Sequence, residues 1–238
     1  MTTSDPHILV TGSSRGIGKA IVGALQGRAV VAGHGTIEQD GRLRADFAVP
    51  GAAPELWDRA LDQLDGRIDV LINNAGIFDP NPVTAADAEW LDSWNRTMQI
   101  NLTAAAELCR LAVRHFQNSS RPGRIINIAS RAAYRGDSPD HWHYAASKGG
   151  MVAMTKTIAR AYASEDILAF AICPGFTMTG MAEDYLESRG GDKLLADIPL
   201  GRVAQPDEIA SMAVYCAVDA PPSMTGAVLD ANGASFVR

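Results

Sequence analysis

Apolar residues along this chain gather into short unbroken runs, which alternate with longer stretches where they recur at helical spacing. A short apolar run bounded by Gly, Pro, Asn or Asp suits a strand buried on both faces, and apolar residues at i, i+3 and i+4 suit a helix packed on a sheet. Residues 7–11 predict a first strand, and residues 16–25, with alternating small and apolar side chains, a helix after it. Residues 29–32 and 42–47 predict a second and a third strand. The link between them carries Gly33, Gly35 and Gly41 and is too short for a full crossover helix, so it predicts a loop or one helical turn. An amphipathic helix follows at 54–64, then a fourth strand at 69–72 that runs into Asn73-Asn74-Ala75-Gly76.

Residues 85–117 predict a long helical region with Trp90, Trp94, Met98, Leu102, Leu108 and Leu111 on apolar stripes, suited to core or interface packing. Asn101 interrupts the stripes; an amide there is either a satisfied core group or a functional one. A fifth strand is predicted at 124–129, a helix at 143–163, and a sixth strand at 167–173 that Pro174-Gly175 ends sharply. Residues 177–195 are polar and mixed, with Gly190-Gly191 as a hinge, and predict a mobile cover over a cleft. A helix at 206–218 with Pro206 near its start and a last strand at 227–230 complete the pattern. Such alternation implies a doubly wound parallel α/β sheet. No repeat, low-complexity tract or linker divides the chain, so residues 1–238 predict a single domain.

Composition narrows the function classes more than it changes the fold. With 47% hydrophobic and 20% charged residues the chain can fill one sizeable core, and its net charge of -6 gives no general reason to bind nucleic acid or an anionic membrane. Cys109, Cys173 and Cys216 lie far apart in apolar surroundings and read as buried thiols of a reducing compartment. No apolar run approaches the ~20 residues of a membrane span, and residues 1–6 are too short and polar for a signal peptide, so a soluble cytoplasmic protein is expected.

The candidate chemistry centres on Tyr144-Ala145-Ala146-Ser147-Lys148, which puts a phenol and an ammonium on one helix face. A Tyr has a reference pKa of about 10, and a nearby cation favours its phenolate, so Lys148 is expected to tune Tyr144. Ser130 ends the fifth apolar run. Thr11-Gly12-Ser13-Ser14-Arg15-Gly16-Ile17-Gly18 follows the first. By itself this turn is either a tight strand-to-helix connection or a cradle where the backbone and a helix N-terminus meet a pyrophosphate.

Several motifs in order decide between those readings. They are Thr11-Gly12-x-x-x-Gly16-x-Gly18, Asn73-Asn74-Ala75-Gly76, Asn101, Ser130, Tyr144-x-x-x-Lys148, Pro174-Gly175 followed by Thr179, and Pro199-Leu200-Gly201-Arg202. Over residues 7–233 the chain resembles a short-chain dehydrogenase/reductase of the compact single-domain kind. The resemblance implies a Rossmann fold of about seven strands with helices on both faces and a nicotinamide cofactor across the strands' carboxyl ends. It implies that Gly12, Ser14, Arg15, Gly16 and Ile17 hold the pyrophosphate and adenosine side, that Asp46 meets the adenine edge, and that Asn74, Ala75 and Gly76 line the adenosine ribose. Pro174, Gly175, Thr177 and Thr179 fall where the family holds the nicotinamide carboxamide.

In that setting Ser130 can donate a hydrogen bond to a carbonyl oxygen and Tyr144 can deliver or remove the proton. The family pattern has Lys148 lower the Tyr144 pKa and bond the nicotinamide ribose, while Asn101 anchors a water leading from Lys148 to solvent. The implied activity is hydride transfer between a nicotinamide and a carbonyl or secondary alcohol, as in a carbonyl reductase or 3-oxoacyl reductase. A non-catalytic dinucleotide sensor on the same fold is the alternative, against which the intact set Asn101, Ser130, Tyr144 and Lys148 argues.

The chain departs from the family on the adenosine side: residues 18–30 are slightly short, and the second and third strands lack their usual connecting helix. No carboxylate stands at the end of the second strand, where NAD would want one, and Arg15, aided by His34 or Thr36, can reach a ribose 2′-phosphate, so NADP is expected over NAD. The small-molecule substrate is expected among Tyr134, Arg135, Asp137, His141, Trp142, Met181 and Tyr185. His141 and His143 lack a carboxylate or thiolate cluster, so no metal is expected. Small and apolar residues on several faces of 85–117 and 143–163 suggest a homotetramer.

Overall fold

The sixth strand, Ile-Leu-Ala-Phe-Ala-Ile-Cys-Pro, is buried at every one of its eight positions, because a parallel strand covered on both faces has no solvent side. It lies within a seven-stranded sheet in the computed structural model, which describes residues 5–179 and 195–238. The strands are β1 (His7–Val10), β2 (Val30–Gly35), β3 (Leu43–Arg44), β4 (Val70–Asn73), β5 (Gly123–Ile128), β6 (Ile167–Pro174) and β7 (Val228–Ala231). Their order is β3-β2-β1-β4-β5-β6-β7, and every neighbouring pair is parallel.

Seven helices accompany them among the described residues: α1 (Gly16–Ala24), α2 (Ala52–Gln63), α3 (Asp87–Met98), α4 (Ala104–Ser119), α5 (Ala132–Arg135), α6 (Trp142–Tyr162) and α7 (Pro206–Val214). On one face Ile21 of α1 and Ile209 and Ala213 of α7 pack against Ile8, Val10 and Phe170. On the other, Leu56 and Trp57 of α2, Leu108 and Phe116 of α4 and Ile158 of α6 cover Leu9, Leu71 and Ile125. Alternate strand residues feed the two clusters, as the two-residue period of a strand requires. Phe116 and Phe170 are almost fully buried, and truncating either to Ala removes about 3–5 kcal/mol of stability.

The doubly wound parallel sheet is as the pattern of strands and helices implied, with instructive differences at the boundaries. Strand β2 continues past Ala32 through Gly33-His34-Gly35, because His34 and Gly35 pair with Leu43 and Arg44 of β3. Strand β3 is cut to two residues: Asp46 Oδ1 accepts from the Ala48 backbone N–H at 3.0 Å and turns the chain off the sheet edge. The β2–β3 link is a loop without a helix, turned back by Asp40 (φ 53°) and Gly41 (φ 73°). The long helical region is α3 and α4 joined by one π-helical turn, Gln99–Thr103, which takes up the extra residue at Asn101. Helix α5 and a 3₁₀ turn, Pro222–Met224, were not anticipated; both are too short to carry a periodic signal.

The cover expected at 177–195, with its Gly190-Gly191 hinge, Met181 and Tyr185, lies for the most part outside the described residues. Thr177, Met178 and Thr179 are described, and Thr177 bridges to Ala204. No helix among the described residues is long and apolar enough to cross a membrane.

Candidate active site

The strand order reverses between β1 and β4, and in an open α/β sheet that reversal leaves a crevice at the carboxyl ends. Here it is a cleft of about 610 Å³. Gly12, Ser14, Arg15, Gly16 and Ile17 line it from the turn after β1, and Asn74, Ala75 and Gly76 from the end of β4. His34 and Asp46 line one end, Pro174, Gly175, Thr177 and Thr179 another wall, and Ser130, Tyr144 and Lys148 its floor. Of the expected catalytic and cofactor residues, Asn101 alone stands behind the wall, fully buried; of the residues expected near the substrate Asp137 lines the cleft, whereas Tyr134, Arg135, His141 and Trp142 do not.

The turn after β1 is held from three sides. Asn74 donates from Nδ2 to the carbonyls of Thr11 (3.0 Å) and Gly12 (2.9 Å), while the backbone N–H groups of Asn74 and Ala75 both donate to Thr11 Oγ1 at 3.0 Å. This packing leaves no room for side chains: a Cβ on Gly12 would come within 2.7 Å of Ala75 Cα, and one on Gly18 would overlap the Gly12 carbonyl. Thr179 closes from above, its Cγ2 2.9 Å from where a Gly16 Cβ would lie. Helix α1 starts at this turn with no side-chain cap and no acidic residue in its first turn, so its free N–H groups and dipole face the cleft. The cleft thus fits a dinucleotide, with the glycine turn and the α1 N-terminus holding its pyrophosphate.

His34 sits elsewhere than expected. It is buried under the turn, Nδ1 accepting from the Gly12 N–H at 3.1 Å, Nε2 3.1 Å from the Ala45 carbonyl, and its ring stacked on Phe47 with centroids 4.5 Å apart. Accepting at Nδ1 and donating at Nε2 requires the neutral ring, and burial accordingly holds the His34 pKa below the usual imidazole value. With both nitrogens committed, His34 supports the cradle and does not reach for a phosphate. Asp46 is exposed at the same end, with Oδ1 accepting from Ala48 N, and Thr177 donates to the Gly175 carbonyl at 3.3 Å.

At the catalytic end, Ser130 follows β5, and its Oγ accepts from the Ala132 N–H at 3.1 Å. Ser130 and Tyr144 both line the floor of the cleft, and the Ser130 side chain is near enough to favour the Tyr144 phenolate slightly. Lys148, one turn further along α6, is buried with Nζ donating to the Ile128 carbonyl at 2.9 Å and lying 5.8 Å from the Tyr144 ring centroid. Burial sets the net direction of the shift at both groups. Burial pushes the Tyr144 phenol up to about 12, against a smaller opposing effect of Ser130, and pushes Lys148 down to about 8. In both groups desolvation, which acts against the charged form, is the largest cause.

The Asn101 side chain is bonded to the backbone of Ile77. Its Oδ1 accepts from Ile77 N at 2.8 Å and its Nδ2 donates to Ile77 O at 3.0 Å, fixing the chain beyond Gly76. A Gly76 Cβ would lie 3.3 Å from Asn101 Oδ1, a tight contact, and 3.6 Å from Lys148 Nζ, so Gly76 runs close beside both groups. The π turn that presents Asn101 is a common device at functional sites.

Three cleft residues escaped the sequence reading. Phe78 packs edge-on against Tyr144 with centroids 4.7 Å apart and stacks on His141 at 3.8 Å, fixing the phenol's plane. Arg131 lies under Phe176, its guanidinium 4.7 Å from the ring centroid, and both line the cleft. Their signal was adjacency: Phe78 follows Gly76-Ile77, Arg131 follows Ser130, and Phe176 follows Gly175. His141 is held by Ser138 at 2.6 Å, and His143 is buried beside Trp94. Trp90 stacks on Trp94 and meets Trp142 edge-on, outside the main core, on the α3 side of the cleft.

Residues 12–233 match the family model described as enoyl-(acyl carrier protein) reductase. The 3-oxoacyl-[acyl-carrier-protein] reductase of Vibrio cholerae is 34% identical, over 96% of this chain and 96% of that one. The 3β-hydroxysteroid dehydrogenase 1 of Eggerthella lenta is also 34% identical, over 95% and 92% of the two chains. A crystal structure assigned as a 2-deoxy-D-gluconate 3-dehydrogenase of Agrobacterium tumefaciens, with bound NADP, superposes with a TM-score of 0.88 at 28% identity, covering 99% of this chain and 98% of that one. The chain belongs to the short-chain dehydrogenase/reductase family and is an NAD(P)-dependent oxidoreductase.

Proposed function

We propose that the protein is an NADP(H)-dependent carbonyl reductase acting on small-molecule ketones or the matching secondary alcohols, with 3-oxoacyl thioesters the first class to examine. The observation that carries this reading is the gathering of Ser130, Tyr144 and the buried Lys148 ammonium at the floor of one cleft whose far end is a phosphate cradle. A nicotinamide bound there supplies the hydride. Ser130, its oxygen already accepting from Ala132, turns its proton toward the substrate oxygen and stabilises the negative charge that grows on it. Tyr144, kept neutral by burial, gives that oxygen a proton and takes it back in the oxidative direction. Lys148 holds positive charge beneath both, and Asn101 keeps the Gly76-Ile77 wall in place beside it.

NADP(H) preference is supported by Arg15, exposed at the start of α1 and lining the cleft, and by a β2 that ends without a carboxylate. Cytoplasmic residence is supported by three free, buried cysteines. A homotetramer built on α4 and α6 is supported by the family resemblance and by Leu91 and Trp142, large apolar side chains left exposed on α3 and at the start of α6. The test is turnover of a panel of ketones and 3-oxoacyl thioesters with NADPH and NADH, with light scattering for the assembly. Expected are turnover of at least one class and a higher kcat/KM with NADPH. Dinucleotide binding without turnover across the panel would instead identify a sensor.

A further inference from the structure

The β2–β3 link brings a cation to the adenosine end that the motifs do not contain. Gly41 turns the chain back, Arg42 N donates to Gln39 O at 3.0 Å, and the Arg42 side chain lies along the face of β2 that a connecting helix would otherwise cover. Its Cγ is 3.3 Å from where a Gly33 Cβ would stand, and its Nε is 3.8 Å from the Cβ position of Gly35. Ser14 Cβ lies 3.6 Å from that same Gly35 position, so Arg42 and a residue of the phosphate cradle both approach Gly35, which lines the cleft. Gly33 and Gly35 leave the side-chain space that Arg42 uses. The side chain is only 19% exposed, Nε is buried without a hydrogen-bond partner, and NH1 has a 3.3 Å pair with Asp40, whose side chain is 69% exposed. An exposed pair of that kind contributes little and gives way readily to a stronger anion.

From this geometry, and resting on the NADP(H) reading above, we infer that Arg42 is a specificity-determining residue that takes the 2′-phosphate of the adenosine ribose together with Arg15. A phosphate monoester placed between Ser14, Gly35 and Thr36 meets the Arg42 fork from the β2 side and Arg15 from the α1 side, and charge-assisted bonds to a guanidinium are the strong ones. The charges facing Arg42 agree with this role. Asp40 neutralises it from solvent, while Glu38 and Asp46 are exposed near the same end and disfavour an anion anywhere but against the two arginines. The short link therefore substitutes in this chain for what a helix and a longer strand end would otherwise present.

The test needs no turnover. Adenosine 2′,5′-bisphosphate and adenosine 5′-monophosphate are titrated calorimetrically into the native protein, Arg42→Met, Arg15→Ala and Asp40→Asn, with the melting temperature of each variant as a check on folding. The native protein is expected to prefer the bisphosphate. Arg42→Met, which keeps the apolar stem over Gly33, should lower bisphosphate affinity by roughly tenfold or more and leave monophosphate affinity unchanged. Asp40→Asn, an exposed change that frees the guanidinium, should raise bisphosphate affinity by about two- to fivefold. A native preference that survives Arg42→Met and ignores Asp40→Asn overturns the role of Arg42 and leaves the NADP(H) reading standing on Arg15. A native protein without the preference overturns both.

Discussion

At one end of the cleft, Tyr144 and Lys148 project from the 21-residue helix α6, with Ser130 at the end of β5 across from them. At the other, His34 belongs to β2, flanked on its outer side only by the two-residue edge strand β3, and Arg42 to a link with no helix. The first is rigid by construction: β5 lies in the interior of the sheet, α6 packs on its face, and Ser130 and Lys148 each have a backbone partner. The second lacks a packed helix and uses side chains instead, His34 under the glycine turn and Arg42 over the glycines of β2. Chemistry is thus positioned by elements, whereas adenosine recognition is positioned by individual contacts, and the two ends should respond differently to mutation and to pH.

The largest effect is expected at the catalytic end. Tyr144→Phe removes the proton-carrying hydroxyl and little volume, so kcat should fall by roughly 10²–10⁴-fold while NADPH affinity, measured by fluorescence titration, changes little. Near-native turnover in this variant would falsify the assignment of Tyr144 as the acid. Lys148→Met comes next. It takes charge from beneath the phenol and from the cleft floor, so both kcat and NADPH affinity should drop, and a loss confined to one of them contradicts the dual role.

A smaller effect is expected at the adenosine end. His34→Ala leaves the half-buried Gly12 N–H without its acceptor, which costs about 1 kcal/mol, to be read in NADPH affinity and in Tm. His34→Asn restores an acceptor at the Nδ1 position and should recover much of the loss. The native protein should show the same weakness in acid. Because burial holds the folded His34 pKa below the usual value, the neutral ring's contribution is complete above about 6.5 and is lost as pH falls through the depressed value. His34→Asn should flatten that acid limb, and an unchanged limb would show that another group titrates.

The mildest contrast lies in the pH profiles of the two reaction directions. With the Tyr144 phenol up near 12, ketone reduction always finds its proton donor loaded and should vary little across neutral pH. Alcohol oxidation needs the phenol deprotonated, so its rate should climb with pH. Lys148, brought down to about 8, loses its charge over the same range, and a rise that stalls near that value would assign the limb to Lys148.

How much was readable in advance follows the same division. The run from Ile167 to Pro174, apolar throughout, can only be a strand buried on both faces, and β1, β4 and β5 read the same way. Tyr144 and Lys148 declare themselves because helical spacing alone puts them on one face. The doubly wound sheet, the glycine turn and the catalytic set therefore follow from local pattern and order along the chain. Periodicity had nothing to say about His34, which reads as a polar residue between two glycines. Its two hydrogen bonds come from Gly12 and Ala45, and only the packing of β2 between β1 and β3 brings those together.

The tertiary structure likewise decided the charges. Spacing says that Lys148 is near Tyr144, but whether the cation lowers the phenol or burial raises it depends on how much water the fold removes from both, and here desolvation prevails. Asn101 was legible as an interruption in a helix, yet its partner, the Ile77 backbone, lies on another element. Arg42 was one charge in a polar link until the chain reversal at Gly41 laid it across Gly33 and Gly35. Local sequence sets which backbone states and faces are available. Contacts between segments distant in the chain, and the water they exclude, exist only once the sheet has closed.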